Sequence, residues 1–346
     1  MVLQHSILSS YGDYLNVIWG TWWRIAFAPI LLMFFGLSGF LVSGSLKKNP
    51  TATSFLTLRA VRLVPALAVE VLLSAILLGS IFTRLPLADY FTSEGFWLYL
   101  GNMVGWVHRD LPGVFDDLPN TLVNVSLWTL PLELECYAAL MLLYVAGFIR
   151  KPILLLGVIA VAITVGSALA FQNYDPFWAH TRPLSRSLVV AFLVGVAINL
   201  YSDRIRLSKG LALLAVAALI ATTIDYRTIY LAAVPAVYLC VYLGMTHPPK
   251  GGWLFSGDYS YGLYLFAFPL QQTYTTLFPH ARIWYLNFAF TIVFGLLYAA
   301  FSWWFVEKPI LERKKGIVLA AEGVKDRLRR AIRLAVWKPV TGTQQI

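Results

Sequence analysis

Charge is what this chain is short of. Only 13% of its 346 residues are Asp, Glu, Lys or Arg, against 59% hydrophobic, roughly half the charged share of an ordinary soluble domain. That shortage excludes a water-soluble globule. Cysteine is scarcer still. Cys136 and Cys240 are the whole complement, and both lie in apolar stretches, so neither a disulfide framework nor zinc-ligand spacing is available. Other metal-ligand spacings, a Gly-rich phosphate loop and a Gly-x-Ser-x-Gly elbow are missing too, which removes the usual sequence signs of metal, nucleotide-loop and serine-hydrolase chemistry. The opening residues do not read as a signal peptide, and no Gly/Ser linker suggests a second large domain.

What is there is apolar sequence in lengths near the ~20 residues that cross a bilayer. Complete spans read as 24–46, 58–82, 126–148, 152–172, 185–202, 208–224, 227–246, 258–278 and 284–306, with Pro and Gly in turns such as His247-Pro248-Pro249-Lys250-Gly251-Gly252. Met1–Ser10 is apolar but covers only about half the hydrocarbon thickness. The expected fold is an all-α, polytopic transmembrane helical bundle of about nine complete spans plus a partial first helix. Residues 1–312 form one membrane domain, and 313–346 a basic tail that reads as an interfacial amphipathic helix.

The net charge of +10 is explained by basic loops and anionic membrane lipid, with no nucleic acid required. Lys47, Lys48, Arg150, Lys151, Arg204, Arg206, Lys209, Lys250 and the tail from Lys308 fall on one set of loops. Asp89, Glu94, Asp110, Asp116 and Asp117 fall on the alternate set. Basic loops favour the cytoplasmic side, so the C-terminus is expected there. The longest extramembrane segment, 83–125, then lies outside and is expected to be functional or partly re-entrant.

Ionisable residues within spans default to functional or partner-seeking roles. Here they are His5, Arg59, Arg62, Glu70, Glu133 and Glu135. Arg59 and Arg62 share a helix face at the inner boundary. They are either snorkelling arginines or a bidentate seat for phosphate. Glu133 lies roughly 10 Å down its helix from Ser126, and Glu135 is turned about 200° from it, so the two cannot face one site. His5 sits at nearly the depth of Glu133, and histidine is the usual base for activating a hydroxyl. His108, His180, His247 and His280 fall in loops and are weaker candidates.

These residues carry a resemblance. Met33-Phe34-Phe35-Gly36-Leu37-Ser38-Gly39-Phe40-Leu41, the Arg59-x-x-Arg62 segment through Pro65, and Ser126-Leu127-Trp128-Thr129-Leu130-Pro131-Leu132-Glu133 are similar to segments of the acyltransferase 3 family of integral membrane O-acyltransferases. Ser260-Tyr261-Gly262-Leu263-Tyr264 and Phe305-Val306-Glu307-Lys308-Pro309 complete the series. The resemblance implies ten membrane helices, a bacterial inner membrane, and transfer of an acyl group to a hydroxyl of a surface or lipid-linked glycan. The acyl group is commonly acetyl, with acetyl-CoA or another acyl-CoA as co-substrate. It makes His5 the leading catalytic candidate and gives Arg59 and Arg62 to the donor. Trp128, Glu135 and Tyr261, within the same segments, become candidates for substrate contact. The family's arginine eleven positions before the histidine would precede Met1, so an earlier start is expected.

On this reading CoA phosphates bind near Arg59 and Arg62, His5 deprotonates the acceptor, Glu133 orients the site, and a buried path joins the two. The rival readings are a transporter or flippase of an acylated or anionic small molecule, which inverted repeats would favour, and a structural protein of an envelope assembly. No clear repeat is found.

Overall fold

A computed structural model describes residues 1–48, 51–172, 185–246 and 256–336. His180 and the whole 247–252 turn, with His247, lie outside them. Among the described residues there is no sheet, only an isolated bridge between Thr83 and Val114. The chain opens with α1, Val2–Tyr11. Each of the nine apolar spans then coincides with a helix: α2, Arg24–Lys48; α3, Ala52–Phe82; α4, Val125–Val145; α5, Pro152–Gln172; α6, Ser185–Leu200; α7, Lys209–Ile224; α8, Ile229–Met245; α9, Ser260–Leu277; and α10, Trp284–Glu312. The tail forms α11, Lys314–Val336.

Six of these elements are long and apolar enough to cross a membrane. Helices α6 and α7, with 16 residues each, reach about 24 Å. Helix α9 is interrupted in its second half by Gln271, Gln272, Thr273, Thr275 and Thr276. Gln271, Gln272 and Thr275 hold neighbouring elements, while Thr273 and Thr276 bond back to carbonyls of α9 itself.

Where lipid is as apolar as leucine, helices associate through close backbone approach and hydrogen bonds. The α2–α6 crossing shows the first. A Cβ placed on Gly39 would lie 2.0 Å from the carbonyl oxygen of Phe192, and one on Gly195 1.9 Å from that of Gly36. The glycines of the Phe-Phe-Gly-Leu-Ser-Gly segment therefore serve backbone contact. Helix α1 shows the second. Ser9 donates to Gln272 Oε1 at 2.8 Å, and Gln271 Nε2 donates to the carbonyl of Val2 at 2.8 Å. Asn287 of α10 donates to Ser10 at 3.3 Å. A ten-residue helix is too short to be stable by propensity, so these bonds fix it to α9 and α10. It ends at Gly12, whose positive φ of 58° and contact with Pro119 would strain any side chain.

Helix α3 begins at Ala52, about a turn and a half before the sequence pattern placed it. Thr51 caps it by accepting from the Ser54 amide. Arg59 is consequently two turns inside the helix, not at its start. Helices α3 and α10 each contain a π-helical stretch, Leu73–Leu78 and Ser302–Glu307, an irregularity frequent at functional sites.

Residues 83–125 fold into a cap. Short helices Leu87–Thr92 and Glu94–Leu100 bury Tyr90, Phe96 and Tyr99 against Ala66, Leu67, Val71 and Ala75 of α3. The Tyr90 hydroxyl donates to the carbonyl of Ala75 at 2.7 Å. The segment then re-enters the bundle. Gln272 Nε2 donates to the carbonyls of Asn120 and Leu122, and Asn124 Nδ2 to that of Leu265. The bundle thus has a cap end and, opposite it, a basic end carrying Lys47, Lys48 and α11.

Candidate active site

Helix α9 is the spine of the site. Its first turn meets the basic end through Tyr261, its middle meets α1 through Phe268, and its last turns hold the cap. Tyr261 and Phe268 are seven residues apart, about 10 Å along the axis.

At the basic end Arg62 is committed. Its guanidinium donates to Glu307 Oε2 at 2.5 Å and to Asp258 Oδ2 at 2.5 Å, and it lies over the Tyr261 ring at 5.1 Å. Glu307 is buried, at 2% exposure, and also accepts from Ser302. The π-helical stretch brings both residues inward at this level. Arg62 is therefore placed as the counter-charge of two carboxylates rather than as an open phosphate ligand. Tyr261 supports it, with its hydroxyl spent on the carbonyl of Leu63 at 3.0 Å. This departs from the expectation of an Arg59–Arg62 pair and of Tyr261 in substrate contact. Asp258 and Glu307 carry the reason, and Glu307 stood in the quoted Phe-Val-Glu-Lys-Pro segment without a role.

Arg59 is different. One nitrogen reaches the Ser45 hydroxyl at 3.4 Å, while its buried Nε has no hydrogen-bond partner. It faces a cavity of about 970 Å³ lined by Phe40, Ser45, Lys48, Arg59, Lys314 and Lys315 among others. Among the described residues no ion pair satisfies any of these four cations. Arg62 shows one side to the same space.

Glu133 is brought to the arginines, not to His5. It is within electrostatic range of Arg59 and Arg62, and Tyr137 hydrogen-bonds to it. One reason is that residues Val125–Thr129 form a 3-10 turn, which rises more steeply than an α-helix and sets Glu133 about 12 Å below Ser126. Glu135 points to the bundle's outside, as its 200° offset requires, and pairs with Arg186. The structure does not bring it to the site. Trp128 is half-buried against the main core and likewise reaches neither cavity described here.

His5 is buried, at 8% exposure, with its ring edge-on to Phe268 at 5.6 Å. No hydrogen bond to its imidazole occurs among the described residues, so a ring nitrogen is open to a hydroxyl. A second cavity, of about 550 Å³, lies at the cap end beside Leu3 and Ile7 of α1 and Trp22, Phe27 and Trp284. Neither cavity includes His5. Between the two ends Tyr264 stacks on Phe34 at 5.8 Å and donates to the carbonyl of Ser126 at 2.7 Å.

One buried carboxylate had no expected role. Glu70, fully buried, accepts from Asn124 and Ser74 at 2.9 Å each. It ties the returning end of the cap to α3, and its position within a span was the only signal. Among the remaining histidines, the His108 ring packs on Trp106 while its backbone amide donates to Asn102. No group of three or more metal-ligating side chains occurs among the described residues.

A helical bundle with a cationic cavity at one end and a buried, unbonded imidazole farther along the same spine defines an integral membrane protein equipped for group transfer. Residues 1–307 match the family described as an acyltransferase domain, and the chain belongs to the acyltransferase 3 family; it is an O-acyltransferase. It is 28% identical over 297 residues to an O-acetyl transferase of Shigella phage Sf6, covering 82% of this chain and 84% of that one. It is also 28% identical over 343 residues to Nodulation protein 10 of Rhizobium leguminosarum bv. viciae, covering 89% and 88%. No solved structure matches it.

Proposed function

We propose that the protein moves an acetyl group from cytoplasmic acetyl-CoA to a hydroxyl of a surface or lipid-linked glycan, across a bacterial inner membrane. The observation that carries this is the large cavity at the basic end, where Arg59, Lys48, Lys314 and Lys315 converge and, among the described residues, none of the four is in an ion pair. Four cations around one cavity, none held in an ion pair among the described residues, suit the phosphates of a CoA ester. Basic residues gather on the cytoplasmic side of membranes, and acyl-CoA is a cytoplasmic donor. The name O-acetyl transferase of the phage relative favours acetyl.

In this account the thioester arm passes from Arg59 toward Phe268. An acceptor hydroxyl arriving from the cap end meets His5, which removes its proton as the oxygen attacks the thioester carbonyl. The thiolate of CoA leaves and is protonated. Glu133, held by Tyr137, balances the cationic end and keeps the guanidinium of Arg59 in place.

The test is transfer of labelled acetyl from acetyl-CoA to extracted glycans by membranes that contain the protein. Arg59→Ala should raise the donor concentration for half-maximal rate about tenfold with little change in the maximal rate. Label that never reaches glycan, or an unchanged donor dependence in Arg59→Ala, contradicts the proposal. Transport of an acylated or anionic small molecule is a weaker alternative, since no observation favours it over transfer.

A further inference from the structure

The donor cavity is not completed by the stretch that matches the family. Leu311, Lys314, Lys315, Val318 and Leu319 line it, and all lie beyond residue 307, where the match ends. Four of them are in α11 or immediately before it. Lys314 and Lys315 are exposed and, among the described residues, without an ion-pair partner. Across the cavity stand Lys48 at the end of α2 and Arg59 of α3, the latter with its orphaned, buried Nε. Arg62 adds no surplus positive charge here, since it is shared between two carboxylates, Asp258 and Glu307.

Helix α11 is also fixed in register. Glu322 accepts hydrogen bonds from the side chains of Thr51 and of Ser54, the latter at 3.1 Å, and pairs with Lys325 at 2.8 Å. Thr51 is itself the N-cap of α3. The tail is thus tied to the same helix that carries Arg59. A helix merely floating on lipid needs no such lock.

We infer that α11 is a working wall of the donor site, with Lys314 and Lys315 binding the phosphates of the nucleotide end of the acyl donor and Glu322 positioning them. This rests on the reading of the cavity as the acyl-CoA site. The same two lysines could instead meet anionic lipid headgroups, which share the phosphate chemistry, so the test must separate the two sources.

The experiment measures binding of CoA to the full-length protein in nanodiscs made either of phosphatidylcholine alone or with phosphatidylglycerol added. The double variant Lys314→Gln/Lys315→Gln should weaken CoA binding about tenfold in both membranes, and Lys314→Arg/Lys315→Arg should restore it. Glu322→Gln should weaken it by a smaller factor. Arg329→Gln, in the exposed part of α11, should leave it unchanged. Equal affinity of wild type and double variant, or a difference seen only with phosphatidylglycerol, overturns the proposal while leaving the donor site in place. Wild-type protein that does not bind CoA overturns the donor reading and this inference together.

Discussion

The two ends of α9 are finished in different chemistry. At the basic end the side chains are ionic. Arg62 is paired with Asp258 and Glu307, and beside it Arg59, Lys48, Lys314 and Lys315 border an open cavity, none of them in an ion pair among the described residues. Toward the cap end most of the bonds described are from amides and hydroxyls, and two ionisable groups there, Glu70 on Asn124 and Arg282 on the carbonyl of Thr275, are held by neutral partners. Gln272 joins Ser9 to Asn120 and Leu122, and His5, on the same helix as Ser9, packs on Phe268 with no hydrogen bond to its ring among the described residues. In a bilayer, unpaired charge is tolerated only near water or where a ligand brings the opposite sign, whereas amides saturate one another in place. On the proposed reading the difference teaches that the first end receives an anion while the second holds α1, with its imidazole, in place.

Substitutions at each end sharpen that contrast. The largest effect is expected at His5. His5→Ala should lower acetyl transfer by about 10²–10⁴-fold, the usual contribution of a general base, with CoA affinity unchanged. Measured turnover within a few-fold of wild type would remove the base assignment. Arg62→Ala should act on stability more than on donor use, because it strands the buried Glu307. A loss of about 2–3 kcal/mol is expected, below the usual figure for a broken buried pair since Arg62 is partly exposed. Thermal unfolding of the purified protein checks it. If Arg62→Ala instead melts like wild type and only weakens CoA binding, the two arginines do the same work.

Gly39→Ala should cost about 1–3 kcal/mol, since its new Cβ would meet the Phe192 carbonyl. Lower yield and melting temperature, with CoA affinity preserved in what folds, is the expected pattern. The smallest effect is with pH. Hydrogen bonds from Lys325 and Thr51 pull the Glu322 carboxyl down to about 2 from an ordinary 4.5. A depressed carboxylate contributes its docking energy fully above the ordinary value and loses it only as pH falls through the lower one. Hydrogen exchange of α11 should therefore be flat from pH 5 to 8 once corrected for intrinsic rates. Release of the helix within that window would contradict the lock.

Much of this was legible in the sequence. Among the described residues each of the nine apolar runs lies on a helix, six of them long and apolar enough to cross a membrane, because a span must satisfy its own backbone in lipid, and the pattern needs no tertiary context to be seen. The opposite facing of Glu133 and Glu135 followed from helical pitch alone. What could not be read was pairing across the chain. Arg62 meets residues 196 and 245 positions away, and nothing in its own segment distinguishes it from Arg59, three residues earlier on the same face. Likewise Glu133 matched His5 in depth yet stands with the arginines, since depth fixes a level in the bundle and not a direction. The tail was seen as an amphipathic helix, but its lock to Thr51 and Ser54 depends on the cap of a helix that begins before the apolar pattern does.

The central claim is directional, with donor at the basic end and acceptor reached from the cap end. Sealed membrane vesicles of known orientation, given labelled acetyl-CoA on one face only, test it most directly. Label should reach glycan on the far face only when the donor is supplied to the side that exposes α11. Equal transfer with donor supplied only to the cap side would contradict the account.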